Sequence, residues 1–227
     1  PLQRSGLPTM LPSNAHSKAS YNGINIVALW AAAMVRGYPY AVWATYRQWT
    51  ELGAQVRKGE KASSVIFYKE YAVDADPNDT DDNGMRRVAR PSSVFNVAQV
   101  DNFPVPLSTP RVDLTTRIEH VEAFIANTGA ELRYGGQRAF YRHRSSDGSG
   151  DFIQIPELAL FTGTETSTPT ESLYATKLHE LLHWCGADHR LAREHGKRFG
   201  DEAYAFEEML VEIGAAAMCC QLEITSE

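Results

Sequence analysis

The pattern His-Glu-Leu-Leu-His at residues 179–183 restricts the fold and chemistry of this chain more than any other feature. On an α-helix, side chains four residues apart lie on one face, so the imidazoles of His179 and His183 can bind one metal ion. Glu180 would lie beside them, within reach of a metal-bound water. A metal ion lowers the pKa of that water to about 7, and a neighbouring carboxylate can then act as general base. The spacing therefore predicts a metal-dependent hydrolase in which Glu180 is catalytic.

The residues around this pattern favour a helix that begins near residue 168. Thr168 is a good N-cap, and Glu171, three residues later, completes a capping box. Pro169 fits the first helical position, and Gly186 favours an end just after the second histidine. The pattern therefore has the helical setting that its chemistry requires.

A mononuclear zinc site needs a third protein ligand, and His189 is one of two candidates. The run H-E-x-x-H-x-x-G-x-x-H ends at His189 and has the spacing of metzincins. That arrangement also requires a methionine in a turn further along the chain. Met209 and Met218 instead fall inside a second predicted helix over residues 201–222, which weakens this alternative.

The other candidate for the third ligand is Glu208, which lies in the predicted helix over residues 201–222. Glu208 and Glu212 are four residues apart and share a face, as in gluzincins, where the second carboxylate supports the first histidine. Glu207 lies about 100° around the helix and ranks lower as a ligand. We favour Glu208 as the third ligand and expect Glu212 to orient His179.

The two halves of the chain differ in charge. The net charge of −6 argues by itself against a nucleic-acid partner. However, residues 1–73 hold eight Lys and Arg against three Asp and Glu, whereas residues 107–227 carry a net charge of −8. The proline-containing segment over residues 103–106 reads as a linker. We therefore predict two domains, over residues 1–106 and 107–227.

The N-terminal half interleaves aromatic rings with cations. Bases of single-stranded nucleic acid stack on such rings, while Lys and Arg follow the phosphates. We predict a β-hairpin with strands over residues 55–57 and 64–73 and a basic turn between them. The candidate contacts to single-stranded DNA are Tyr21, Trp43, Tyr46, Arg57, Lys58 and Lys61.

The C-terminal half reads as a helix, a short sheet and then the two helices described above. The last predicted strand, over residues 151–156, alternates apolar and polar residues just before the helix that carries the metal pattern. This order is that of zincins, and we expect this strand to form the sheet edge along which an extended peptide lies. Because the sequence has no apolar run near 18 residues and no signal-peptide pattern, we also expect a soluble, cytoplasmic protein without a membrane partner.

Six separated segments of the sequence resemble one known family. They are YNGINIVALW from residue 21, WATYRQW from 43, LGAQVRKGEK from 52, VFNVAQV from 94, YATKLHELLHW from 174 and GDEAYAFEEMLVEIGAA from 200. The first four resemble the single-stranded-DNA-binding domain of ArdC-type antirestriction proteins, which also begins certain conjugative-plasmid primases. The last two resemble the zincin-like metallopeptidase domain that follows it in ArdC. The resemblance implies an α+β fold in two domains.

The resemblance also implies a function. It implies binding of single-stranded DNA without sequence preference and protection of incoming plasmid DNA from host restriction. It implies a divalent metal at His179, His183 and Glu208, with Glu180 as base; Zn²⁺ is the first choice and Mn²⁺ the alternative. A host restriction-system protein would be the peptide substrate. The alternative is a DNA-binding protein whose zincin half is an inactive, structural scaffold.

Overall fold

The computed structural model describes residues 11–73, 84–104, 113–144, 150–193 and 202–225. The chain divides into two compact units, Pro1–Ser108 and Thr109–Glu227, and each is described by itself. Both units combine helices with a small sheet, which confirms the predicted α+β fold class. Among the described residues, no helix is both long and apolar enough to span a bilayer.

The first unit is built on a four-stranded sheet. Its elements are β1 (Ser13–Asn14), α1 (Ile24–Arg36), β2 (Val42–Thr45), α2 (Tyr46–Glu51), β3 (Gln55–Val56), β4 (Ser63–Ala72), β5 (Met85–Asn96) and β6 (Val100–Asp101). The strand order is β1-β2-β5-β4, with only β1 and β2 parallel. The core between the sheet and α1 contains Leu29, Trp43, Val65 and Val94, all fully buried.

The predicted hairpin between β3 and β4 is wrong. β3 pairs with β6, where Val56 lies opposite Val100, and these strands form a separate two-stranded sheet. β4 instead pairs with β5, from Ser63 opposite Val94 to Ala72 opposite Met85. The basic turn that follows β3 looks like a hairpin turn, but the local sequence does not specify which later strand supplies the partner.

β4 and β5 extend beyond the sheet as a two-stranded arm over residues 66–72 and 85–91, because β2 pairs only with the last residues of β5. Pro91 lies inside β5 and does not interrupt the strand. Pro91 lies opposite Ile66, whose N–H and C=O point outward and bond the side-chain amide of Asn25 at 2.7 and 2.8 Å. Since this pair exchanges no ladder hydrogen bonds, a residue without an N–H fits there.

The second unit combines three helices with a three-stranded sheet. Its elements are α3 (Leu114–Thr128), β7 (Leu132–Tyr134), β8 (Phe140–Arg142), β9 (Phe152–Ile155), α4 (Pro169–Cys185) and α5 (Glu202–Gln221). The strand order is β7-β9-β8, so β9 lies in the centre. The expectation that residues 151–156 form the sheet edge is therefore wrong, and β8 is the edge strand that contacts α4. Alternation identifies the buried face of a strand but not its lateral neighbours.

The start of α4 is fixed by the predicted capping box. The Glu171 N–H donates to Thr168 Oγ1 at 3.2 Å, and the Thr168 N–H donates to Glu171 Oε2 at 3.1 Å. Arg117 of α3 and Thr225 also donate to Glu171 Oε1, each at 3.0 Å. The helix that carries the histidines is thus tied to both α3 and the segment after α5.

Close packing brings α5 against α4. A Cβ added at Gly214 would lie only 2.8 Å from a methyl carbon of Leu182, a residue of the His179–His183 pattern. A glycine at this position therefore lets α5 approach the face of α4 that bears the histidines.

Candidate metal centre and nucleic-acid surface

α4 and α5 bring His179, His183 and Glu208 together. Their ligand atoms all lie within 4.8 Å of one another. Glu208 Oε1 is 3.4 Å from His183 Nε2, and Glu208 Oε2 is 3.8 Å from His179 Nε2. Two imidazole nitrogens and one carboxylate that converge in this way match the donor set of a mononuclear zinc site.

The outer nitrogen of each histidine faces a second carboxylate. His179 Nδ1 lies 3.4 Å from Glu212 Oε1, and His183 Nδ1 lies 3.4 Å from Glu207 Oε1. These contacts favour the tautomers protonated at Nδ1, which leave both Nε2 lone pairs directed at the common centre. The structure thus places Glu212 beside His179, where the sequence predicted it.

The role of Glu207 was not predicted. Its carboxylate is buried and accepts two hydrogen bonds from Arg193, Nε to Oε2 at 2.9 Å and Nη2 to Oε1 at 2.8 Å. The same guanidinium donates to the carbonyl of Leu182 on α4 at 2.6 Å. Glu212, in contrast, has a side chain that is 71% exposed. No motif marks Arg193, which is why the sequence did not reveal this clamp.

Glu180 is buried beside the three converging ligands. Burial raises its pKa, the N–H of Tyr141 donates to it and lowers the pKa, and the charge of Glu208 raises it again, which gives a pKa of about 7. Burial also lowers the pKa of His183, against the opposing effect of Glu208, and so favours the neutral imidazole that binds metals. Glu180 is thus held where it can gain or lose a proton near neutral pH.

A pocket of about 410 Å³ opens at this centre, between α4, α5 and the edge strand β8. Besides the residues above, it is lined by Arg138, Phe140, Tyr141, His143 and Tyr204. The Tyr141 N–H that reaches Glu180 points off the sheet, so the outer edge of β8 faces the pocket. Tyr204 lies one turn before Glu208 on α5, and its hydroxyl bonds that carboxylate.

His189 lies apart from this cluster. Its Nε2 is 3.7 Å from Asp151 Oδ2, which also accepts from the Tyr141 hydroxyl at 2.9 Å and from Arg190 at 2.7 Å. Among the described residues, the side chains close enough to bind one metal ion together are His179, His183 and Glu208. His189 does not belong to this group.

Comparison with known proteins assigns both units to one family. The family model for the N-terminal domain of the anti-restriction factor ArdC matches residues 1–95, and that for a zincin-like metallopeptidase matches residues 119–227. The metal-free crystal structure of the antirestriction protein ArdC from plasmid R388 matches with a TM-score of 0.69 and 34% identity, over 97% of this chain and 75% of that one. This chain belongs to the ArdC family.

Three further matches show what else this chain is similar to. The Mn(II)-bound structure of the R388 protein matches with a TM-score of 0.68 and 33% identity. The uncharacterized protein y4eC of Sinorhizobium fredii is 41% identical over the whole of this chain and 72% of its own length. The DNA primase TraC of Escherichia coli is 34% identical over 94% of this chain but only 15% of the primase. The zincin-like fold and the Mn(II)-bound relative support a divalent metal as cofactor.

In the ArdC N-terminal unit, two of the predicted DNA contacts are buried. Trp43 is 0% exposed because β2 is an inner strand and its ring packs on Leu29 and Val65, so the prediction that it stacks on a base is wrong. Tyr21 is 5% exposed, and its hydroxyl accepts from Asn14 Nδ2 at 3.1 Å. Composition alone cannot distinguish a core ring from an exposed one.

The other four predicted contacts are exposed. Tyr46 is 52% exposed and, with Arg57 and Lys58, lines an open pocket of about 550 Å³. Lys61 is also exposed. Arg57 pairs with Glu60 at 3.0 Å and with an aspartate of β6, so its charge is largely neutralised. Lys58 and Lys61 have no salt-bridge partner among the described residues.

Proposed function

We propose that this ArdC-family chain is a metal-dependent peptidase whose centre consists of His179, His183 and Glu208, with Glu180 as general base. The convergence of these three ligands beside a buried carboxyl is the observation that carries the proposal. Zn²⁺ is the proposed ion because two imidazoles and one carboxylate suit it, and Mn²⁺ is the alternative.

The side chains around the pocket have different roles in the proposed reaction. A divalent ion in the site would polarise a peptide carbonyl and activate water. Glu180 takes a proton from the attacking water at a carboxylate oxygen and delivers it to the leaving amine. Glu207 and Glu212 hold the histidines in their metal-binding tautomers. An extended peptide would lie along the outer edge of β8, which faces the pocket.

The test of catalysis compares the unaltered chain with the Glu180→Gln variant. Both proteins are loaded with Zn²⁺ or Mn²⁺ and incubated with protein and peptide libraries. We expect the unaltered chain to cleave and the variant to retain one ion but lose hydrolysis. If the metal-loaded unaltered chain cleaves nothing, the inactive-scaffold alternative is favoured. Host restriction-system proteins are the first substrates to try, because the family is antirestriction; cleavage by the unaltered chain and not by the variant would identify one.

We also propose that the first unit binds single-stranded DNA without sequence preference, and that this protects incoming plasmid DNA in the cytoplasm. The match to the ArdC N-terminal domain supports this, together with Lys58, which lines the same pocket as the exposed ring of Tyr46 and has no salt-bridge partner among the described residues. Fluorescence anisotropy should give tighter binding to single strands than to duplex of the same sequence, since a duplex hides its base faces. Equal affinity for both would contradict the proposal.

A further inference from the structure

The β4–β5 arm has one face that combines aromatic rings with cations. Directly opposite residues of paired strands share a face, and successive residues of one strand alternate between faces. The opposed pairs on this side are Phe67 with Arg90, Lys69 with Val88 and Tyr71 with Arg86. We call the set Phe67, Lys69, Tyr71, Arg86 and Arg90 the basic–aromatic face.

The groups on this face are accessible. Phe67 and Tyr71 are 45% and 44% exposed, and they lie about 13 Å apart along β4. Lys69 and Arg90 are exposed, and neither has a carboxylate within salt-bridge distance among the described residues. Rings for stacking, interleaved with unpaired cations for phosphates, complement the chemistry of a single strand.

A pocket of about 460 Å³ lies at the foot of the arm, where the basic–aromatic face meets the body of the unit. Tyr21, Phe67, Tyr68, Asn14 and Gln48 are among the residues that line it. The centroids of the Tyr21 and Phe67 rings are 6.4 Å apart with a tilt of 39°. The pocket therefore offers aromatic walls together with polar side chains, which is the environment that an unstacked base requires.

Two hydrogen-bond donors in this pocket have no acceptor among the described residues. Asn14 Nδ2 donates to the Tyr21 hydroxyl oxygen and to Gln48 Oε1, each at 3.1 Å. Gln48 Oε1 also accepts the Thr45 N–H at 3.0 Å and so caps α2. These bonds leave Gln48 Nε2 and the Tyr21 O–H without an acceptor in the described part of the chain. Every base carries acceptor atoms on its edges, so such donors would not select one base.

We infer that single-stranded DNA runs along the basic–aromatic face and inserts one base into the pocket lined by Tyr21 and Gln48. The inference rests on the proposed DNA-binding function and specifies its surface. It replaces Trp43, which is buried, with Phe67 and Tyr71 as stacking groups.

The test measures the affinity of the full chain for a fluorescein-labelled oligothymidine by anisotropy. Tyr71→Ala should weaken binding about 5- to 150-fold, the range for loss of one stacked base. Lys69→Gln should reduce the slope of log affinity against log salt by about 0.7, as expected for one phosphate contact. The matched controls, Tyr134→Ala and Arg144→Gln, change exposed residues of the second unit and should leave both quantities unchanged.

The pocket is tested by Gln48→Glu, which keeps the oxygen that caps α2 but replaces the unpaired N–H donor with a second oxygen. We expect weaker binding without a change in the circular dichroism of the chain. Photocrosslinking of an oligonucleotide that contains 5-iododeoxyuridine gives a readout on the unaltered protein. Adducts should map to Tyr21, Phe67, Tyr68 or Tyr71.

Two results would overturn the inference. If the unaltered chain binds the oligonucleotide but Tyr71→Ala and Lys69→Gln bind equally well, and adducts map only near Tyr46, the surface is misassigned while the DNA-binding function stands. If the unaltered chain binds no single-stranded oligonucleotide, both the inference and the proposed function fail.

Discussion

The two units of the molecule differ in whether their charged side chains have partners of opposite charge. In the second unit, Glu207 is buried between Arg193 and His183 and is paired with both. On the arm of the first unit, Lys69 and Arg90 are exposed and have no carboxylate partner among the described residues. A preformed network suits a small ion that demands fixed geometry, whereas unpaired cations beside exposed rings suit a flexible polyanion. The predictions below test this difference.

The largest expected effect comes from an unpaired charge in the second unit. Arg193→Met leaves the carboxylate of Glu207 buried without its guanidinium partner and should cost about 3–5 kcal/mol of unfolding free energy. Arg47→Met is the matched control, because Arg47 forms an exposed ion pair with Glu51, and such pairs contribute at most about 1 kcal/mol. Chemical denaturation of the metal-free chain checks both values. Similar small losses for the two variants would contradict the comparison.

A slightly smaller change in the free energy of unfolding is expected when the pH is lowered. Burial raises the pKa of Glu171, but hydrogen bonds from Thr168, Arg117 and Thr225 outweigh it and hold the pKa at about 2. Because the folded pKa lies below the unfolded value near 4.5, the ionised carboxylate stabilises the fold above pH 4.5, and this contribution is lost as the pH falls toward 2. The contribution is about 3 kcal/mol.

Glu171→Gln should remove this pH-dependent component and lower the stability at neutral pH. Denaturation measured at several pH values between 2 and 7 checks the prediction. A variant that loses stability toward low pH as steeply as the unaltered chain would show that other groups cause the acid sensitivity.

The two carboxylates that contact the histidines differ in burial, so their substitution should change the metal affinity by different amounts. Glu207→Gln should weaken metal binding about 10- to 100-fold, because the buried carboxylate fixes His183. Glu212→Gln should have a smaller effect, since Glu212 is largely exposed and water can replace it beside His179. Competition with a chelating dye measures both affinities. A larger loss of metal affinity for Glu212→Gln than for Glu207→Gln would contradict the conclusion that the buried Glu207 is the more important supporting carboxylate.

The smallest effect is expected from one exposed cation of the first unit. Lys58→Gln should weaken single-stranded DNA binding for all sequences alike and lower the salt slope by about 0.7. Metal binding should not change. Titrations with oligonucleotides of different sequence check this, and a loss confined to one sequence would indicate base recognition instead.

The sequence predicted those features that depend on local spacing. The capping box at Thr168 and the helix over the two histidines follow from periodicities of one or two turns. Glu208 was favoured because its spacing to Glu212 matches gluzincins, and it is the packing of α5 on α4 that brings it to the histidines. The sequence failed where the answer depends on distant partners. The neighbours of β3 and β9, the burial of Trp43 and the clamp on Glu207 are set by tertiary packing between segments that no local pattern connects.

The most direct test of the central claim is a calorimetric metal titration of three proteins: the unaltered chain, Glu208→Ala and His189→Ala. We predict one divalent ion per chain for the unaltered protein and for His189→Ala, because His189 lies beside Asp151 and outside the cluster. Glu208→Ala should lose most of the affinity. Normal binding by Glu208→Ala together with failed binding by His189→Ala would contradict the proposed centre and favour the metzincin arrangement.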